Sequence, residues 1–90
     1  MDVQGSAESV DSTSRQNVEE FLVAVWKRAL NLDHVTVDEN FFEVGGDSLA
    51  ALEILVAIDE QVEADVSITE LYELPTIREL AGYIVDVGVR

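Results

Sequence analysis

The sequence predicts an all-α fold: a four-helix bundle with three longer helices and one short one. Three observations carry that expectation. Apolar residues recur at helical spacing in separate stretches of the chain. Two capping-box patterns, Ser67-Ile68-Thr69-Glu70 and Thr76-Ile77-Arg78-Glu79, mark two helix starts in close succession. No alternation of apolar and polar residues runs long enough to make a strand.

Residues 1–14 are rich in Ser, Gly and acids and have little to bury, so they read as a disordered leader. Residues 15–88 read as the folded domain. Ser14 is the N-cap expected for the first helix. Val18, Phe21, Leu22, Val25 and Ala29 then form one apolar stripe. Lys27 and Arg28 fall in the last turns, where cations suit the helix dipole. Asn31 is suited to a left-handed stop. Trp26 lies off the centre of the stripe and is expected to pack on the following loop.

Residues 32–46 form a long connection. Asp38 is a candidate cap for a single helical turn within it. A loop this long needs an anchor, and either Phe41 or Phe42 supplies one; the other is free to face a bound group.

The second helix is expected from Ser48 to Val62. At about 100° per residue, Ala51, Ile54, Leu55, Ile58 and Val62 share one sector, the expected core face. Leu49, Leu52 and Val56 form a second apolar patch, interleaved with Glu53, Asp59, Glu60 and Glu63. A helix apolar on two sides either packs against a second neighbour or meets a partner. The short third helix holds Ile68, Leu71 and Tyr72 and must end before Pro75. The last helix turns Ile77, Leu80, Ala81, Ile84 and Val85 inward. Gly82 weakens it slightly, and Gly88 is its expected stop.

Ninety residues, 48% of them apolar, suffice for one small core. The chain has no cysteine, hence no disulfide and no thiolate nucleophile. Its first residues lack the apolar and basic parts of a signal peptide. No apolar run approaches the roughly 20 residues of a membrane span. The expectation is a cytoplasmic protein that is monomeric and away from membranes. A formal charge of −14 argues against nucleic acid, because phosphate contacts need basic patches. The charge is uneven: residues 43–77 hold nine acids and no Lys or Arg. That span is either a solvated acidic face or a surface that steers basic partners toward Ser48. Added salt, or mild acidification toward the carboxylate range, is expected to stabilise the domain by relieving repulsion.

The chemistry gathers at Gly45-Gly46-Asp47-Ser48-Leu49. The glycines permit backbone angles that side chains forbid. Asp47 is a strong N-cap, which places the Ser48 hydroxyl at the first helical position. There the unpaired N–H groups and the positive end of the dipole favour a phosphate. Gly46-Asp47-Ser48-Leu49 also spells the signature of a hydrolase family with a serine nucleophile. Such a serine needs a base, and the one histidine, His34, lies in an upstream loop. No calcium-loop or zinc spacing is present, so no metal is expected. By itself, a helix-start serine is ordinary.

The longer run Phe41-Phe42-Glu43-Val44-Gly45-Gly46-Asp47-Ser48-Leu49 resembles the attachment site of phosphopantetheine carrier domains. Leu74-Pro75-Thr76-Ile77 with Leu80-Ala81 resembles the entry to that family's last helix, and Trp26 and Leu30 fit its first. The resemblance covers roughly residues 17–87. The paired Phe and paired Gly are closer to peptidyl carriers of nonribosomal peptide synthesis than to fatty-acid carriers, and Ala50 stands where the latter usually have an acid. The resemblance implies the four-helix acyl/peptidyl carrier fold and a non-catalytic role. It implies that Ser48 carries 4′-phosphopantetheine donated from coenzyme A by a phosphopantetheinyl transferase, with Asp47 beside it. The partners implied are that transferase, an adenylation or other acyl-loading enzyme, and downstream condensation or tailoring enzymes. Leu49, Leu52 and Val56, with Ile68 and Tyr72 as the further candidates, are the expected partner-binding residues. The short flanks favour a free-standing carrier; a domain cut from a larger synthetase is the other possibility. The alternatives are a polyketide-type acyl carrier and an unmodified acidic adaptor that binds a basic partner.

Overall fold

The first helix starts where the sequence offers a cap. In the computed structural model, which describes residues 14–88, the Ser14 hydroxyl accepts the Asn17 N–H at 3.4 Å and opens α1, Arg15–Leu30. Residues 1–13 of the expected leader lie outside the described residues. Asn31 ends α1 in the left-handed conformation (φ 57°, ψ 48°), and the Leu32 N–H returns to the Lys27 carbonyl at 2.9 Å. Val18, Leu22, Val25 and Trp26 are buried, while Phe21 and Ala29 of the expected stripe are only partly so.

Helix α2, Ser48–Ala57, runs on into a π-turn, Ile58–Val62, so the element reaches the residue expected from sequence. The wider turn ends at Glu63, which is left-handed (φ 58°) and donates its N–H to the Ile58 carbonyl at 3.0 Å. Two capped helices follow. Helix α3, Ile68–Glu73, has the Glu70 carboxylate accepting the Ser67 N–H at 2.8 Å. Helix α4, Ile77–Tyr83, has the Glu79 N–H donating to Thr76 Oγ1 at 3.2 Å, and it continues in a π-turn, Ile84–Gly88. Among the described residues there is no strand.

Helix α1 packs on both α2 and α4, and α3 leans on α2. One apolar cluster closes the bundle. Its fully enclosed members include Leu22 and Trp26 from α1, Ile54 and Ile58 from α2, Leu71 from α3, and Ile77, Leu80 and Ile84 from α4. Each such side chain contributes about 1.5–3 kcal/mol by leaving water.

Leu55 departs from expectation. It is half-buried and stands outside the core cluster, and Ala50 is buried in its place. The cause is rotational. The buried set on α2 centres between Ala50 and Ala51, which turns Leu55 to the flank of the helix.

The long loop is tied down at several points. The Phe41 N–H donates to the Pro75 carbonyl at 2.8 Å, and the Arg78 N–H donates to the Val37 carbonyl at 2.9 Å. Phe41 is the anchor: it is fully buried and meets Trp26 edge-on at 5.4 Å. Trp26 does pack on the loop, and it is also central to the core. Its indole N–H is buried without a hydrogen-bond partner among the described residues. Asp38 does not cap the turn. Asn40 does, accepting the Phe42 N–H at 2.8 Å and the Glu43 N–H at 3.3 Å. Asp38 instead makes a two-pronged ion pair with Arg78, at 2.6 and 3.1 Å. That guanidinium, chiefly through the hydrogen bond, holds the Asp38 carboxyl below its ordinary range and pushes Arg78 up.

Candidate functional site: an exposed serine on a braced glycine turn

Ser48 stands exposed at the first position of α2. Three features put it there. Gly45 takes φ +100°, a conformation that disfavours any side chain. The Gly46 N–H donates to the Phe41 carbonyl at 2.9 Å and closes the turn. A Cβ at Gly46 would fall 2.5 Å from Cδ2 and Cζ of the Phe41 ring, so the glycine is what lets that ring lie flat beneath the turn. The anchor of the loop and the platform of the serine are thus one packed unit.

Asp47 behaves as the sequence predicts. Its carboxylate accepts the Ala50 N–H at 2.9 Å, and its carbonyl accepts the Ala51 N–H at 2.9 Å. Of the N–H groups that a helix start leaves without intrahelical partners, those of Ser48 and Leu49 remain for another acceptor. A phosphodiester on the Ser48 oxygen would sit at the positive end of α2, beside those donors and in solvent. The residues present therefore fit a phosphate-linked group. His34 is exposed in the loop after α1, and among the described residues no hydrogen bond supplies Ser48 with a base.

An apolar surface adjoins the serine. Leu49, Leu52 and Val56 are 68%, 57% and 46% exposed and turn away from the core, so none of the described helices covers them. Ile68 and Tyr72 project outward from α3. Phe42, 44% exposed, lies against α3: its ring is 5.3 Å from Tyr72 and 5.1 Å edge-on from Phe41. Its place in this surface was not resolved from sequence. The available signal was the Phe41-Phe42 pair itself, since adjacent residues in a tight turn cannot both enter one core.

At the start of α3, Glu70 accepts from both the hydroxyl and the N–H of Ser67. Those two bonds, the hydroxyl's first, hold its carboxyl below the ordinary range. Among the described residues no helix is long and apolar enough to cross a membrane.

Comparison with known proteins meets this geometry. The family described as "Phosphopantetheine attachment site" matches residues 20–84. Surfactin synthase subunit 2 of Bacillus subtilis (strain 168) is 36% identical over 67 residues, covering 74% of this chain and 2% of that protein. The chain therefore spans only about 2% of the length of the curated relatives it matches. Among solved structures, the fold is similar to BlmI, a type-II acyl carrier protein from Streptomyces verticillus involved in bleomycin biosynthesis. The TM-score is 0.74 at 31% identity, over 78% of this chain and 84% of that one. It is also similar to the structure of the phosphopantetheine transferase Sfp in complex with coenzyme A and a peptidyl carrier protein. There the TM-score is 0.72 at 30% identity, over 74% of this chain and 87% of that one. The chain belongs to the phosphopantetheine attachment-site family: it is a carrier domain of the peptidyl carrier kind, bearing 4′-phosphopantetheine and not itself an enzyme.

Proposed function

We propose that Ser48 is the residue that carries the arm. The observation behind this reading is an exposed hydroxyl on a rigid, glycine-built turn at a helix N-terminus, with its neighbour Asp47 spent on capping. When attached, 4′-phosphopantetheine supplies the thiol that a chain without cysteine lacks. The chain's own residues do three things. The turn holds the Ser48 oxygen away from the bundle. The first turn of α2 offers N–H groups and a positive dipole to the phosphate. The fold then presents a covalently held aminoacyl, peptidyl or acyl group, which raises its effective concentration for successive enzymes. Residues 15–88 are the unit proposed to do this.

The partners proposed are a phosphopantetheinyl transferase, an adenylation or other acyl-loading enzyme, and condensation or tailoring enzymes. Leu49, Leu52, Val56, Phe42, Ile68 and Tyr72 are the proposed contact residues. Apolar contact supplies specificity, while the acidic rim speeds encounter with basic surfaces.

Incubation with coenzyme A and a broad-specificity transferase tests the attachment site. Intact mass is expected to rise by one arm, with peptide mapping placing it on Ser48. Ser48→Ala is expected to abolish the gain with little change in melting, since Ala is a good helix former. A Ser48→Ala variant that still gains the mass refutes the assignment.

A further inference from the structure

The chain from the Gly45-Gly46 turn through α3 has a particular composition. Residues 43–77 contain no lysine, arginine, histidine or cysteine. That span holds the Gly45-Gly46 turn, α2 with its π-turn, and α3. Basic side chains lie elsewhere: Arg78 is engaged with Asp38, Arg15 reaches Gly82 of α4, and Lys27, the one lysine, is in the last turn of α1. Carboxylates, amides and hydroxyls are what the span offers. Its hydroxyls are weak nucleophiles without a base to activate them.

We infer that residues 43–77 form an amine- and thiol-free apron beside Ser48, which protects a thioester cargo from transfer onto that part of the carrier's own surface. This rests on the carrier reading of Ser48. The reaction avoided is simple. An unprotonated lysine Nζ attacks the thioester carbonyl, the C–N bond forms, and the C–S bond breaks. The sulfur takes the proton that the nitrogen gives up, and the cargo is left as an amide that thiol exchange cannot recover. Tethering makes this a real hazard, because a flexibly linked pair meets at roughly millimolar effective concentration. A lysine of ordinary basicity is about 1% unprotonated near pH 8.4, enough for steady loss. Docking to a basic partner would exclude lysine and arginine alike, whereas aminolysis singles out lysine, and the variants below separate the two.

Charge and nucleophilicity separate in matched variants of the full chain. Glu43 and Glu53 are exposed on either side of Ser48, one in the turn and one on α2. Glu43→Lys and Glu53→Lys reverse the charge and add an amine, whereas Glu43→Arg and Glu53→Arg reverse the charge only. Each protein is loaded from acetyl-coenzyme A by the transferase and held at pH 8.4. It is then treated with hydroxylamine, which strips thioesters and leaves amides. Because the amine is tethered, the lysine variants are expected to lose thioester faster than their arginine partners. Intact mass and peptide mapping should find a hydroxylamine-resistant acetyl group on the new side chain. Wild type and arginine variants should release the acetyl cleanly. Lysine variants that keep the thioester as long as the arginine ones, with no amide at position 43 or 53, overturn the inference. A wild type that takes no arm refutes the carrier reading instead, and the inference with it.

Discussion

Gly46 is the most sensitive joint between core and site, and Gly46→Ala tests it. The added methyl would meet the Phe41 ring at Cδ2 and Cζ, 2.5 Å away. That ring cannot swing aside: it is fully enclosed, with Trp26 edge-on at 5.4 Å and Phe42 edge-on at 5.1 Å. Relief must come from off-rotamer side chains or a shifted turn, which costs about 1–3 kcal/mol in packed interiors. For a domain of this size each kcal/mol moves Tm by about 4–8 °C, so a fall of roughly 5–20 °C is expected. Gly45→Ala is the companion. Nothing lies within 4 Å of its Cβ position, so its cost is backbone strain at φ +100°, about 1–2 kcal/mol for a non-glycine residue.

The two mechanisms separate in a double-mutant cycle. Phe41→Leu makes room beneath Gly46 and leaves φ at Gly45 untouched. Gly46→Ala and Phe41→Leu are therefore expected to couple by about 0.5–3 kcal/mol, the pair being less damaging than the sum. Gly45→Ala and Phe41→Leu should add. Thermal melts of the three single and two double variants suffice. A Gly46→Ala protein that melts with wild type, or a strictly additive Gly46–Phe41 pair, refutes the argument that this glycine exists to admit the ring.

Other expectations follow from burial and charge. Leu52→Asp and Val56→Asp should leave Tm nearly unchanged, because both side chains are already in water, yet should slow transferase loading strongly; equal loading rates would remove them from the docking surface. Ile54→Ala should cost about 2–5 kcal/mol, and Leu55→Asp distinctly less than Ile54→Asp, since only Ile54 is enclosed; equal melts for the two aspartates would contradict the rotation of α2. Asp38 has a lowered carboxyl pKa in the folded state, so its pairing adds stability above the ordinary carboxylate range and loses it as pH falls through that lowered value. Wild type should therefore exceed Asp38→Asn in Tm at neutral pH, with the curves converging as pH falls through that lowered value and drawing together in high salt. A difference that grows on acidification would reverse the sign.

Local signals translated well into structure. Ser14, Asp47, Ser67 and Thr76 all begin helices, and Asn31 ends one, because each acts through bonds to residues within five positions. The turn before Ser48 was legible in part for the same reason: Gly45 and Asp47 act on their own backbone, whereas Gly46 admits the Phe41 ring, which sequence did not show. What sequence did not give was set by partners far along the chain. Asp38 is polar and precedes a turn, which suits a cap, but Arg78, forty residues on, holds its carboxylate. Leu55 and Ala50 were exchanged because periodicity fixes the width of an apolar sector and leaves its rotation to the neighbours. With Leu49, Leu52 and Val56 also apolar, α2 has no polar face from which to take a bearing.

That same ambiguity carries the functional meaning. The core closes without Leu49, Leu52, Val56, Ile68 or Tyr72, so folding does not require them to be apolar. Kept in water, they give this small domain exposed apolar surface, the kind that drives self-association. Two features offset it. The formal charge of −14 opposes the approach of a second copy, and the acids of residues 43–77 rim the face itself. A partner with an apolar seat and a basic border meets neither obstacle. The acidic excess thus reads as a filter on what can touch the surface beside Ser48, repelling like copies and admitting complementary surfaces.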